Sequence, residues 1–277
     1  LEFSALSASQ TMQLQLSKIV DLVAAEHPLE VRCAALLVLG ELGLRVPEAN
    51  AAVLEALALE EPQLRLRAIR AAGQLRVEKA VPLLIERINH GGQEAELAAE
   101  AAVKIGAKGT QALHEVMHKV VPGVRKYIAA ALASGEGAKD ASGLEMLRDK
   151  DANIVETTIQ TIAAKIPTLD AKRKKALADE LFELPKDKKA KLGPLGEAGV
   201  VRLAALLEDP RVEPLLWERT QPPHSGEVRA AALQALGKFG PASSKDQRNK
   251  LFRCAADVQF RVAAPAMLLL DKVPLTD

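Results

Sequence analysis

Gly40, Gly73 and Gly106 stand at a constant interval of 33 residues, each closing a similar apolar stretch. The first runs E-V-R-C-A-A-L-L-V-L-G-E-L-G from Glu30. Its pieces return as L-R-L-R-A-I-R-A-A-G-Q-L from Leu64, L-A-A-E-A-A-V-K-I-G from Leu97 and E-V-R-A-A-A-L-Q-A-L-G-K-F-G from Glu227. A fixed period in this range belongs to chains that stack one supersecondary unit on the next, because one unit cannot bury its apolar face alone. The residues within each copy recur at helical spacing. The hydrophobic share, 48% of 277 residues, is mostly Ala and Leu, and aromatic residues make up 3%. Both are strong helix formers, and small Ala lets helices approach closely. The expected fold is all-α: a right-handed α-solenoid of about seven to eight helical hairpins occupying 1–277 as a single array.

Positions Val31, Leu64, Leu97, Val124, Val155, Val228 and Phe260 mark the second helix of each unit. Their intervals are 33, 33, 27, 31, 73 and 32, and the long one is expected to hold a degenerate unit built from Asp170–Leu184 and a Lys-rich piece. The next unit is expected to open with Leu195–Asp209. Residues 210–226, carrying Leu215, Leu216, the single Trp217 and Pro222-Pro223, then read as an insertion inside that unit. Trp217 is either a binding anchor or part of a short helix that covers an apolar gap. Pro265 must kink the last helix or move its start. The apolar run Ala266–Leu270 lacks a polar outer face, which points to a continuing chain or a covering partner.

The pattern Val-Arg-x-Ala-Ala-x-x-Ala-Leu-Gly, clearest over Val228–Gly237, resembles HEAT repeats of the bacterial, phycobilisome-lyase-like type, in which an Asp-Pro turn such as Asp209-Pro210 precedes the Val-Arg helix. The resemblance spans nearly the whole chain and is weakest between Asp140 and Pro194. It implies a scaffold or adaptor that binds through an extended surface. It is specific for the fold, and HEAT arrays serve several functions.

Composition narrows the function further. A formal net charge of +1 predicts no strong pull toward nucleic acid or membrane surfaces, and no stretch of about 18 apolar residues is present to span a bilayer. Cys33 and Cys254 lie at opposite ends of the chain, read as buried free thiols, and suit a reducing compartment, cytoplasmic by default.

His114-Glu115-x-x-His118 is the sharpest catalytic pattern, since two His at i, i+4 share a helix face and can hold a metal. No third ligand is recognisable, and Leu113, Val116, Met117 and Val120 claim the core face. The expectation is no enzyme, no metal and no cofactor. HEAT-like hydroxylases use repeated His-Glu pairs in several units, and this chain has one. Lys172–Lys191 is the most basic stretch. Residues 1–100 carry 9 bases against 14 acids, while 101–192 carry 17 against 12. That offers nucleic-acid binding as an alternative function, although interspersed acids and the scarcity of aromatic residues favour a solvated face. A coat-like segment of a larger protein is a second alternative.

The arginines Arg32, Arg65, Arg125, Arg229 and Arg261 recur at one helix position. They are expected to form a ladder with acids of preceding turns such as Glu60, Glu61, Glu208 and Asp209. With Val31, Ala35, Val38, Leu39 and Leu42 turned inward, the outward positions define a polar, mostly basic row: Arg70, Gln74, Lys126, Thr161, Lys165, Gln234 and Lys238. This row, with Trp217, is the predicted protein-binding surface.

Overall fold

The computed structural model describes residues 8–135, 142–187 and 190–273, with side chains from residue 15 onward, that of Ser142 excepted. They form helices α1 (Ala8–Asp21), α2 (Leu29–Leu42), α3 (Pro47–Ala58), α4 (Pro62–Gln74), α5 (Val81–His90), α6 (Gly92–Ile105), α7 (Ala107–Met117) and α8 (Pro122–Ser134). There follow α9 (Ser142–Glu145), α10 (Ala152–Lys165), α11 (Ala171–Glu183), α12 (Pro194–Ala204), α13 (Val212–Arg219), α14 (Gly226–Leu236), α15 (Lys245–Ala255) and α16 (Phe260–Leu270). No strand occurs among the described residues. The chain divides into two compact units, Leu1–Gly135 and Glu136–Asp277.

Local chemistry sets the helix starts. Proline occupies the first turn of α3, α4, α8 and α12, where its missing N–H belongs to a group unpaired in any case. Side-chain caps open others: Asp151 accepts from the Asn153 amide at 2.9 Å, Asp170 from that of Arg173 at 2.8 Å. Ser244 and Gln247 form a reciprocal capping box at α15. Helices pair as hairpins, among them α3 with α4, α5 with α6, α13 with α14 and α15 with α16, and the second helices stack on one another: α2 on α4, α4 on α6 and α6 on α8 in the first unit, α10 on α12, α12 on α14 and α14 on α16 in the second.

The 33-residue glycines serve two different purposes. A Cβ added at Gly73 would lie 2.8 Å from the Cα of Ala101, and one added at Gly40 would strike the Gln74 side chain, so both permit close approach of the next second helix. Gly106 instead follows the last residue of α6 with φ of 110°, a conformation that favours glycine.

Two expectations change here. The stretch 210–226 holds α13, which packs on α14, while α12 packs with α11. Leu195–Asp209 is therefore the second helix of the degenerate unit and the turn after it; α13 stands where a first helix is needed. The 73-residue gap misled because Gly196 and Glu197 sit where other copies carry Val-Arg, and a Cβ at Gly196 would fall on the carbonyl oxygen of Leu147. The second correction concerns α2: Ala35, Leu36 and Leu39 are buried, but Val38 and Leu42 are 42% and 47% exposed. Pro265 is accommodated within α16.

Candidate interaction surface

Counting from the first residue of each second helix, the ninth and thirteenth residues of two neighbouring second helices in each unit form a ridge beside a groove. In the first unit these are Arg70 and Gln74 on α4 and Glu100 and Lys104 on α6, which with Leu97 and Ala101 line a groove of about 230 Å³. Gln74 donates to the Glu41 carboxylate of α2 at 2.9 Å. Charges of both signs therefore line the ridge here, because α6 begins at Gly92 and brings Glu100 into a row that was expected to be mostly basic.

In the second unit the same positions give Arg202 and Leu206 from α12 and Gln234 and Lys238 from α14. They surround a groove of about 250 Å³ whose remaining lining is apolar, including Ile159, Leu203 and Ala235. Arg202 donates to both carboxylate oxygens of Glu156, at 2.8 and 3.0 Å. That bond holds the Glu156 carboxyl below its ordinary range and raises the Arg202 guanidinium. Lys238 is exposed at the groove edge.

The rest of the predicted row lies elsewhere. Lys126 is exposed on α8 with its Nζ 5.0 Å from the Tyr127 ring centroid, and it lines neither groove. Thr161 donates its hydroxyl to the Thr157 carbonyl at 2.8 Å, and Lys165 is half-buried at the end of α10. Trp217, offered as an exposed anchor, is buried in the core of the second unit with Val212, Leu216, Val228 and Leu251. Its indole N–H donates to Glu213 at 3.3 Å, satisfying the polar end of a buried ring. The gap-covering reading of Trp217 fits this placement. Glu100, Lys104, Arg202 and Leu206 were missed. A usable signal was present, because Pro62 and Pro194 each precede their groove cation by eight residues.

Of the repeated arginines, Arg65, Arg229 and Arg261 meet carboxylates, though not those of the turns expected. Arg65 binds Glu94 of the following second helix through Nε at 3.0 Å and Nη2 at 2.6 Å, and gives Nη1 to the Leu59 carbonyl. Arg229 pairs with Asp257 in the following turn, Arg261 reaches back to Glu227 at 2.6 Å, and Arg32 donates to the Val23 carbonyl. Glu197 accepts from Arg219 at 2.6 Å and lies 2.9 Å from His224. Asp209 binds Arg211, which holds its carboxyl down at about 2. Arg211 also reaches Asp179 at 2.7 Å and lies over the Phe182 ring, so it ties α13 to α11.

Other candidates disperse. His114 is half-buried, Glu115 accepts from Gln111 at 2.9 Å, and His118 is exposed at the end of α7. Among the described residues no three His, Cys, Asp or Glu side chains converge to hold a metal. In the basic stretch, Arg173 approaches Asp170 and Lys186 pairs with Glu183; Lys188 and Lys189 lie outside the described residues. Cys254 donates its thiol to the Thr220 carbonyl at 3.2 Å, and burial pushes its pKa up, as it does for Cys33. Among the described residues no helix is long and apolar enough to cross a membrane.

Residues 16–104 match the family model for HEAT repeats. The described residues as a whole have an all-α fold, a solenoid of stacked helical hairpins. No curated protein matches the chain. Solved structures similar to it include human deoxyhypusine hydroxylase in complex with glycerol, at 19% identity and a TM-score of 0.40 over 95% of this chain and 97% of that one. The complex of CpcE and CpcF of phycocyanin lyase from Nostoc sp. PCC7120 is similar at 20% identity and 0.36, covering 98% and 99%. A designed armadillo repeat protein is similar at 13% identity and 0.33, covering 94% and 100%.

Proposed function

We propose that the chain is a non-catalytic protein-binding scaffold that engages an acidic or mixed-charge partner along the ridge of its second helices. The observation that carries this reading is the groove of the second unit. It joins an apolar lining to an exposed Lys238 and a Gln234 amide, while the neighbouring Arg202 is already committed to Glu156. Apolar area supplies affinity, and a charge at its edge supplies orientation. Arg70 and Gln74 hold the matching positions in the first unit.

The test is capture of partners from native lysate, identified by mass spectrometry, using the wild-type chain and charge-reversed variants. Lys238→Glu is expected to lower recovery of a specifically captured protein at least several-fold, and Lys126→Glu to leave it unchanged. Unaltered capture after reversing Lys126, Lys165 and Lys238 together would refute the assignment of this surface. A salt-sensitive gel shift with duplex or single-stranded oligonucleotides would transfer the function to the Lys172–Lys191 stretch instead.

A further inference from the structure

The two grooves share one plan and differ in their charges. Leu206 at the end of α12 takes the place that Gln74 has in α4, while Gln234 and Lys238 of α14 take those of Glu100 and Lys104 in α6. Lys104 thus has an acid one turn before it on its own helix, a spacing at which opposite charges attract. Lys238 has the neutral Gln234 there, and no carboxylate lines its groove.

The other cation of that groove is already engaged. Arg202 holds both oxygens of Glu156, and Gln160 of α10 donates to the same carboxylate at 3.2 Å. Between α12 and α14 the lining is apolar. Ala231 and Ala235 are small and leave room beside Leu203, which is fully covered, and Leu206 is 38% exposed. At about 250 Å³ the space falls below the roughly 300–1,000 Å³ usual for small-molecule sites. A cavity of about 150 Å³ already holds a benzene ring, so the groove has the capacity for one large apolar side chain.

We propose, resting on the scaffold reading above, that the groove receives an amphipathic helix of a partner protein. One Leu, Met or Phe of that helix packs on Leu203, Leu206 and Ala235, and an Asp or Glu three or four residues away pairs with Lys238. Residues so spaced on a helix stand about 5–6 Å apart, and Gln234 to Lys238 spans about 6 Å of α14, so anchor and acid match the groove in length. The ridge of such a helix fits between the side-chain ridges of α12 and α14.

A phage library of random hexadecapeptides, panned against the whole chain, tests it. Enriched sequences are expected to pair a large apolar residue with an acid three or four positions away. The most enriched peptide, synthesised with a fluorescein label, should bind Leu206→Glu several-fold more weakly by anisotropy, because that variant brings its own carboxylate into the groove. Panning against Lys238→Glu should replace the acid with Lys or Arg. Both positions are exposed, so both variants should melt like the wild type by circular dichroism. No enrichment over the bare support overturns the proposal, as do enriched sequences lacking the acid, or binding that neither substitution changes. Peptides that lose binding to Arg70→Glu instead also overturn it, while the scaffold reading then stands; that reading is decided separately by capture from lysate.

Discussion

Arg65 of α4 and Glu94 of α6 are joined by two guanidinium nitrogens, and both side chains are largely covered, at 12% and 19% exposure. The pair links one hairpin to the next. Its guanidinium is raised chiefly by that hydrogen bonding. Removing either partner leaves a half-buried charge, so Arg65→Met and Glu94→Gln should each cost about 1.5–3 kcal/mol. A double-mutant cycle by urea denaturation should return a coupling of about 0.5–3 kcal/mol. Additive losses would show that the two residues act separately.

Gly73→Ala should destabilise the first unit by about 1–3 kcal/mol, since the new methyl meets the Ala101 backbone and neither helix can yield without shifting the stack. Gly109→Ala should behave similarly, its Cβ falling on the Ala102 carbonyl oxygen. Gly123→Ala is the control. Its added methyl meets nothing within 4 Å, and the gain in helix preference should raise stability by about 0.5–1 kcal/mol. Thermal melts of the three variants distinguish crowding from a general intolerance of side chains.

Trp217 is the only tryptophan and is 7% exposed. Its emission should be that of a shielded indole in the folded chain and should shift to longer wavelength on unfolding. Trp217→Ala should cost about 3–5 kcal/mol by leaving a cavity between α13 and α14. Surface substitution at Lys238 should leave the same melt unchanged.

Asp209, Asp257 and Glu156 have folded-state pKa values lowered by their arginine partners. A carboxyl with a depressed folded pKa binds its proton more readily in the unfolded chain, so its contribution is present above the ordinary value and lost as pH falls through the folded value. For Asp209 the window runs from 3.8 down to about 2. Urea midpoints measured across this window should fall with pH. Asp209→Asn should flatten that part of the profile. An unchanged slope would remove the Asp209–Arg211 bond from the acid response.

The period was legible where its marker keeps one role, since Leu64, Val124 and Val228 are all buried as the third residue of a second helix, whereas Leu97, Val155 and Phe260 fall at other helix positions and Phe260 is 82% exposed. Legibility failed where one residue type served two geometries. Gly106 matched Gly73 in spacing yet ends a helix, and the space around it is open. It failed again where packing replaced the marker residue, as Gly196 beneath the Leu147 carbonyl concealed α12 and made α13 look inserted. Val38 and Leu42 were assigned inward from periodicity alone, which fixes a face without saying whether a neighbour covers it. The groove was partly visible: Arg70, Gln74, Gln234 and Lys238 followed from the repeat, while Glu100 and Arg202 required the true starts of α6 and α12.

The position of Glu94 bears on how such a chain avoids misassembly. It is the third residue of α6, and the third residue of every other second helix is Val31, Leu64, Val124, Ile154, Gly196, Val228 or Val262. Only α6 offers Arg65 a carboxylate at that level. Hairpins alike in apolar pattern are exposed to swapping and out-of-order docking as they fold. Seating any other hairpin behind α4 would leave Arg65 the Leu59 carbonyl but no carboxylate at that level, so the odd residue in the pattern works as a serial number that favours one order of the repeats.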